Sequence, residues 1–206
     1  MNTYIYIHVC CINNWKEIFG KLLSDIKLSG LYEKVTKIRV NILSQKNDFD
    51  IVDDKIEIIG TSNNLGVYES STLNLLYEHS AKEDFKVLYL HTKGVKHNNS
   101  SLCVTDWVRY MSYFNIYKHE QCLDMLENHD AVGVNLLTTP KHFSGNFWWS
   151  TSKHIRSLGP CVNKTYNSPE FWVTSKPGAY NALWNSGVNH YHTRYEESRY
   201  LLTSIG

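Results

Sequence analysis

The hydrophobic pattern of the chain changes repeatedly between short apolar runs and longer stretches with helical spacing. Apolar or alternating runs predict strands, and they fall at residues 4–9, 37–43, 55–60, 86–90, 131–137 and 188–192. Apolar residues that recur at i, i+3, i+4 and i+7 predict helices, and these cover residues 15–26, 68–80 and 179–184, with two more beginning at Thr105 and Lys153. Because strands alternate with helices, we expect an α/β fold with a central, mainly parallel mixed sheet flanked by helices.

The composition fits one packed globular domain. The chain has 206 residues, of which 42% are hydrophobic and 13% aromatic, and 21 Lys and Arg residues face 20 Asp and Glu residues. This near-neutral balance, without a basic run, argues against a protein that binds nucleic acid by neutralising phosphates. The five cysteines are odd in number and show no CxxC spacing, which argues against a disulfide framework and a thiolate zinc site.

The N-terminal apolar run bears on where the protein acts. No basic segment precedes it, no small-residue cleavage site follows it, and it is far too short to cross a membrane. We therefore expect a cytoplasmic protein in a reducing compartment, with a buried first strand and no membrane span.

Polar side chains follow several predicted strands, and ligands of open α/β sheets bind beyond the carboxyl ends of the strands. His8 and Cys10 end the first strand, the turn TSNNLG follows the third, and His91-Thr92-Lys93 follows the fourth. The sequence contains neither GxxxxGK[ST] nor GxGxxG, which argues against ordinary ATPases and dinucleotide-binding enzymes. Any bound anion must therefore be held by groups other than these two glycine-rich loops.

The strand-end string HTKG offers a metal ligand and a cation. His91 and Lys93 would lie on one side of an extended chain, where an imidazole can bind a divalent metal and an ammonium can neutralise a diphosphate. His190 and His192 would share one face of the last predicted strand. Together with His91 they are the candidate metal ligands. The alternative is that His91 bonds locally, that Lys93 is solvated and that the two late histidines are structural.

The string HFSGNFWW, at residues 142–149, favours carbohydrate binding. Glycine permits close approach of a ligand, Asn146 can both donate to and accept from a hydroxyl, and aromatic faces suit the apolar side of a sugar ring. Downstream, Glu170 stands among apolar residues, where a carboxylate is suited to general base work or hydroxyl binding. The alternatives are that Glu170 caps its turn and that the aromatic residues 147–149 belong partly to the core.

The strings YIYIHVCC, IEIIG with TSNNLG, VLYLHTKG, AVGVNLL, HFSGNFWW and EFW resemble those of nucleotide-sugar glycosyltransferases of the GT-A type. The chain is most similar to the transferases that large chlorella viruses encode for their capsid glycans. It is more loosely similar to bacterial polysaccharide transferases that share the HTKG and HFSGNFWW strings. The resemblance covers nearly the whole chain and implies a single Rossmann-like GT-A domain over residues 1–206. Residues 1–100 would form its nucleotide-binding half and residues 101–206 its sugar- and acceptor-binding half.

The resemblance implies an enzyme that moves a hexose or deoxyhexose from a UDP-sugar to a hydroxyl of a glycan or glycoprotein, with retention of configuration. It implies Mn²⁺ or Mg²⁺ as the bridging ion, and action in the host cytoplasm, alone or within a larger multidomain protein. The implied catalytic residues are Glu170, Asn146 and Lys93. The implied nucleotide-binding residues are His8, Val9, Cys10, Asn64, Gly66, Tyr68, Leu90 and Thr92. The implied sugar- and acceptor-binding residues are His142, Ser144, Gly145, Trp148 and Trp107.

The chain departs from the family pattern at the metal. His91-Thr92-Lys93 stands where such enzymes carry an Asp-x-Asp motif, so either His91 and a late histidine such as His190 hold the ion, or Lys93 partly replaces it. Residues 48–50 spell the motif but follow no apolar strand, and we expect them not to bind metal. Two other functions remain open, a non-catalytic carbohydrate-binding or capsid-associated module of the same fold and a metal-dependent hydrolase that uses the three histidines.

Overall fold

The computed structural model of the chain describes residues 1–46, 49–98, 100–162 and 165–201; Asp48 of the Asp-x-Asp string lies outside them. The strands are β1 (Asn2–Cys10), β2 (Lys37–Leu43), β3 (Ile56–Ser62), β4 (Phe85–His91), β5 (Ala131–Val134), β6 (Leu136–Thr138), β7 (Lys141–Phe143), β8 (Trp148–Thr151) and β9 (Tyr180–Trp184). The helices are α1 (Trp15–Leu28), α2 (Leu31–Lys34), α3 (Ser70–Ser80), α4 (Leu102–Ser112), α5 (His119–Met125), α6 (Ser152–Leu158) and α7 (Ser168–Trp172). A π-helical segment, Tyr113–Tyr117, lies between α4 and α5.

A seven-stranded sheet forms the centre of the fold, in the order β3-β2-β1-β4-β8-β5-β9. Strands β1 to β4 are mutually parallel, β8 runs antiparallel to both β4 and β5, and β9 is parallel to β5. Strands β6 and β7 form a separate two-stranded hairpin. This architecture confirms the expected Rossmann-like α/β fold with a mainly parallel mixed sheet.

Helices cover both faces of the sheet, which explains the near-continuous apolar sequence of β1. Ile5 and Ile7 pack in one core cluster with residues of α1 and α4. Tyr4 and Tyr6 point to the opposite face, where they join residues of α3 and α6. Burying each such side chain contributes about 1.5–3 kcal/mol to the free energy of folding. A strand covered on both faces therefore has no polar side to reveal its alternation.

The segment predicted as a helix at 179–184 is instead the strand β9. Its backbone pairs in parallel with β5, with Ala131 opposite Tyr180 and Gly133 opposite Ala182. Its side chains are all partly buried. The bonding partner lies about fifty residues away in the sequence, so tertiary pairing overrides the local helical spacing.

Two further strand predictions differ from the structure. Residues 188–192 form a turn, in which the N–H of His192 and the N–H of Thr193 both donate to the carbonyl of Asn189. The predicted strand 131–137 is divided into β5 and β6 by Asn135, whose φ of 47° lies in the left-handed region. Such a residue interrupts the strand and redirects it into the hairpin.

The helix predicted to begin at Thr105 begins one turn earlier. Ser101 is its N-cap residue, and the backbone N–H of Val104 donates to the Ser101 hydroxyl. Ser101 and Thr105 are both good capping residues, so the sequence alone left the start of α4 open by one turn. In the ranges that the structure describes, each helix is too short or too polar to cross a lipid bilayer.

The strand order places a crevice between the ends of β1 and β4. The chain passes from β1 to β2 and β3 on one side of the sheet, and then crosses to β4 on the other side of β1. The connections therefore diverge at the carboxyl ends of these two neighbouring strands. Ligands of open α/β sheets bind at such a switch point.

Candidate functional site

A cleft of about 330 Å³ opens at this switch point. It contains cations, carboxylates and aromatic rings in a small volume, contributed from both halves of the sequence. Among the described residues, the charged and aromatic ones that line it are Lys93, Lys96, His97, Glu69, Glu170, His8, His91, Tyr68, Trp107, Tyr166 and Tyr191. A site of this kind suits a ligand that carries both a negative charge and hydroxyl groups.

Lys93 lies on the loop that leaves β4, and its Nζ is 3.9 Å from the centre of the Trp107 ring. Burial lowers the pKa of Lys93, while the carboxylates of Glu170 and Glu69 oppose that shift. A second lysine, Lys96, holds its Nζ 3.7 Å from the Tyr166 ring. The ammonium of Lys93 is thus a partly desolvated cation held over an aromatic face inside the cleft.

The turn at residues 144–146 forms hydrogen bonds with three side chains that line the cleft. The N–H of Gly145 donates to Oε1 of Glu170 at 2.7 Å, and the carbonyl of Gly145 accepts from Nε2 of His91 at 3.0 Å. The side chain of Asn146 donates through Nδ2 to Oε2 of Glu69 at 2.6 Å, and its Oδ1 accepts from Nε1 of Trp148 at 2.8 Å. One turn therefore positions two carboxylates and an imidazole.

Position 145 in this turn accommodates only glycine. Its φ is +93°, a conformation that L side chains rarely adopt. A Cβ added there would collide with Sδ of Met111 and would lie 3.0 Å from Nε1 of Trp107. The close approach between this turn and α4 requires glycine.

Glu69 was not predicted as a site residue. It is the N-cap residue of α3, one position after Tyr68, whose φ of 47° is strained for a bulky side chain. Its Oε2 accepts from the hydroxyl of Tyr89 at 2.9 Å as well as from Asn146. The signal available in the sequence was its position, because the turn after β3 leads to the same edge of the sheet as β1 and β4.

The histidines predicted as metal ligands are not brought together. His190 is buried between Trp107 and Tyr110, and its Nε2 bonds with Nδ2 of Asn135 and Oγ of Ser186, both at 2.9 Å. His192 is exposed on the following turn. Within the described ranges, no three His, Cys, Asp or Glu side chains are grouped so that they could hold an ion. The residues that the resemblance implied therefore do not form a ligand set.

The predicted nucleotide-binding residues separate into two groups. His8, Cys10, Tyr68 and Thr92 line the cleft. Val9 and Leu90 are fully buried in the core, because alternate residues of β1 and β4 point away from the cleft. Asn64 and Gly66 are exposed, and Oδ1 of Asn64 accepts from the N–H of Gly66 within the turn. These last four residues do not line the cleft.

The predicted sugar-binding residues are mostly structural. Trp107 lines the cleft from α4, with the 1% of its surface that is exposed. Trp148 is fully buried and stacks on Tyr89 with ring centres 5.0 Å apart, so it is a core residue. His142 and Ser144 belong to the β6–β7 hairpin region and, with Gly145, lie outside the cleft lining. The aromatic residues of this string thus belong mainly to the core beneath the cleft.

Three largely buried histidines with a lowered pKa predict how the stability of the protein responds to pH. The pKa of His8 and that of His190 are lowered to about 4 and the pKa of His91 is lowered to about 3; burial is the main cause for all three, and the charge of Lys93 contributes to the shifts of His190 and His91. In the unfolded chain a histidine titrates near a pKa of about 6.5. Between these values the unfolded chain binds more protons, so the free energy of unfolding should fall as the pH falls from about 6.5 to about 4.

Urea denaturation at several pH values checks this expectation. The substitution His190→Gln should flatten the profile, whereas His192→Gln, at an exposed position, should leave the profile unchanged. A urea midpoint that stays constant from pH 7 to pH 4 would contradict the burial of these histidines as neutral groups.

The fold and the cleft define a Rossmann-like α/β domain with a ligand site at its switch point. Residues 31–167 match the model of a domain of unknown function, DUF8361. The match covers more than half of the chain, and the chain belongs to this family. No curated protein matches the chain. The function must therefore be argued from the cleft itself.

Proposed function

We propose that the protein is a glycosyltransferase that moves a hexose or deoxyhexose from a UDP-sugar to a hydroxyl of a glycan or glycoprotein. One observation carries the proposal: Lys93, Glu69 and Glu170 line a single cleft at the carboxyl ends of β1 and β4. A nucleotide-sugar presents a diphosphate beside a ring of hydroxyls. An ammonium suits the former and carboxylates suit the latter.

The reaction makes one bond to the anomeric carbon and breaks another. The acceptor hydroxyl oxygen forms the new bond, and the bond to the diphosphate breaks with its electron pair leaving on the diphosphate oxygen. Negative charge grows on the diphosphate in the transition state, so a fixed cation stabilises that state more than the ground state. We assign this role to Lys93.

Glu170 is proposed to receive the proton of the acceptor hydroxyl. Its Oε1 is fixed by the N–H of Gly145, and its side chain lines the cleft. Asn146 is buried and both ends of its amide are occupied, by Glu69 and Trp148. We therefore propose Asn146 as a positioning residue. Retention of configuration stays a prediction.

No step of this mechanism passes through a metal ion. His91, His190 and His192 do not form a ligand set, and this also removes the basis of a histidine-metal hydrolase. The requirement for Mn²⁺ or Mg²⁺ and the capsid glycan as acceptor stay predictions.

Nucleotide binding tests the proposal directly. Uridine nucleotides should bind the cleft and raise the melting temperature, because a ligand that binds only the folded state stabilises it by about 2.7 kcal/mol at a hundred times its Kd. We expect UDP to raise the melting temperature and GDP and CMP not to raise it, with and without MnCl₂. The absence of a shift with every uridine nucleotide would contradict the transferase and leave the non-catalytic carbohydrate-binding module as the better reading.

A further inference from the structure

The hydrogen bond of His91 fixes its tautomer. A carbonyl oxygen can only accept, so the bond to Gly145 requires the proton of the ring to lie on Nε2. Burial lowers the pKa of His91 to about 3, with Lys93 adding to the shift, so the ring is neutral at ordinary pH. Nδ1 therefore carries a lone pair and no proton.

Nδ1 faces the carboxylate of Glu69. The distance from Nδ1 to Oε1 of Glu69 is 3.6 Å, which is longer than a hydrogen bond. The other oxygen, Oε2, accepts from Tyr89 and Asn146. In the part of the chain that the structure describes, no hydrogen bond reaches Oε1 of Glu69 or Nδ1 of His91.

Two acceptors thus face one another at the cleft with no donor between them. Glu69 and His91 both line the cleft, and their side chains keep 21% and 12% of their surface exposed, respectively. Hydrogen bonds from Tyr89 and Asn146 orient the carboxylate of Glu69, and the hydrogen bond to the Gly145 carbonyl orients the ring of His91. Fixed acceptors without a donor are a binding site for a ligand that supplies donors, since leaving them unpaired is unfavourable.

We infer that Oε1 of Glu69 and Nδ1 of His91 form an acceptor pair for two neighbouring hydroxyls of the sugar in the donor substrate. The inference rests on the proposed function and assigns its sugar subsite. Adjacent ring hydroxyls present two O–H donors side by side, one for each acceptor. The donor sugar is the partner because Lys93, which we assign to the diphosphate, lies close enough to interact electrostatically with both residues.

A divalent cation between the two acceptors is the less favoured occupant. The ammonium of Lys93 already disfavours positive charge on His91. No third His, Cys, Asp or Glu side chain within the described ranges joins the pair. Hydroxyl groups would donate a hydrogen bond to each acceptor without adding charge.

The substitution Glu69→Gln tests the pair without removing its support. The glutamine oxygen can still accept from Tyr89 and Asn146, and its amide can donate toward Nδ1, so the melting temperature should not fall. Isothermal titration calorimetry compares UDP with UDP-glucose, UDP-galactose and UDP-xylose on the full chain. Glu78→Gln is the matched control, because Glu78 lies exposed on the same helix and outside the cleft lining.

We expect the wild-type protein and Glu78→Gln to bind at least one UDP-sugar about tenfold more tightly than UDP, the size expected of hydrogen bonds to a charged group. Glu69→Gln should keep its affinity for UDP and lose the tenfold gain. Equal affinity of the wild-type protein for UDP and for every UDP-sugar would overturn the acceptor pair. Tighter binding of a UDP-sugar than of UDP that persists in Glu69→Gln would overturn it as well. Both results would leave the proposed function standing. Failure to bind UDP and every UDP-sugar would overturn both.

Titration of MnCl₂ alone separates the two occupants. We expect no manganese binding that depends on Glu69. Manganese binding by the wild-type protein that disappears in Glu69→Gln and persists in Glu78→Gln would show a cation site and overturn the hydroxyl assignment.

Discussion

The substitution Lys93→Met is expected to lower the rate of sugar transfer by about 10³-fold, the effect typical of removing one preorganised charge from a transition state. Methionine keeps most of the length of the side chain and its contact with the Trp107 ring. It also removes the unfavourable burial of an ammonium, whose pKa is lowered by that burial. The melting temperature should therefore stay the same or rise. Steady-state kinetics with UDP-sugars and calorimetry with UDP measure the two effects.

Lys118→Met is the matched control for this experiment. Lys118 is also half-buried and lies over an aromatic ring, with its Nζ 5.4 Å from the centre of Tyr113, but it does not line the cleft. Its substitution should leave both transfer and UDP binding unchanged. Full activity in Lys93→Met would remove this lysine from the mechanism, and equal losses in both variants would indicate a general effect of lost charge.

The substitution Gly145→Ala is expected to destabilise the fold by about 2–4 kcal/mol, because an L side chain at positive φ is strained and because overpacking a filled site adds a further penalty. The added Cβ would push the turn away from Met111 and Trp107. The same shift would disturb the bonds from Gly145 to Glu170 and His91, so transfer should fall with stability. Urea denaturation measures the loss.

Gly30→Ala separates the two causes. Gly30 also has a positive φ, of 76°, in the left-handed helical region, but nothing lies within 4 Å of its added Cβ. We expect this variant to lose only about 1–2 kcal/mol, the cost of the left-handed backbone conformation alone. Equal losses at the two positions would show that the close approach of the turn to α4 contributes nothing.

The elements that the sequence predicted correctly are those whose local pattern and tertiary role agree. Helix α1 buries Trp15, Phe19 and Leu22 at helical spacing, and β1 is apolar throughout because it is covered on both faces. The predictions failed where distant partners decide the conformation. Residues 180–184 pair with β5, whereas residues 188–192 have no strand beside them within the described part of the chain. Short segments carry too little local information to choose between these outcomes.

The site shows the same division. Position after a strand was enough to select His91, Lys93 and His8, because the carboxyl ends of parallel strands meet at one edge of the sheet. Position placed the turn before Glu69 at this edge but did not show that its carboxylate faces the cleft, because Asn146, which holds that carboxylate, lies 77 residues away. Residue type alone also misplaced Trp148, which a sugar-binding pattern and a core pattern describe equally well.

By itself, the order of apolar and polar residues determined the class of fold and the strand ends where chemistry is found, because both depend on periodicities only a few residues long. The tertiary structure alone decided which strand ends are neighbours, which carboxylates face the cleft and which nitrogen of His91 carries its proton. Each of these depends on contacts between residues that are far apart in the chain, and such contacts leave no mark on the local pattern.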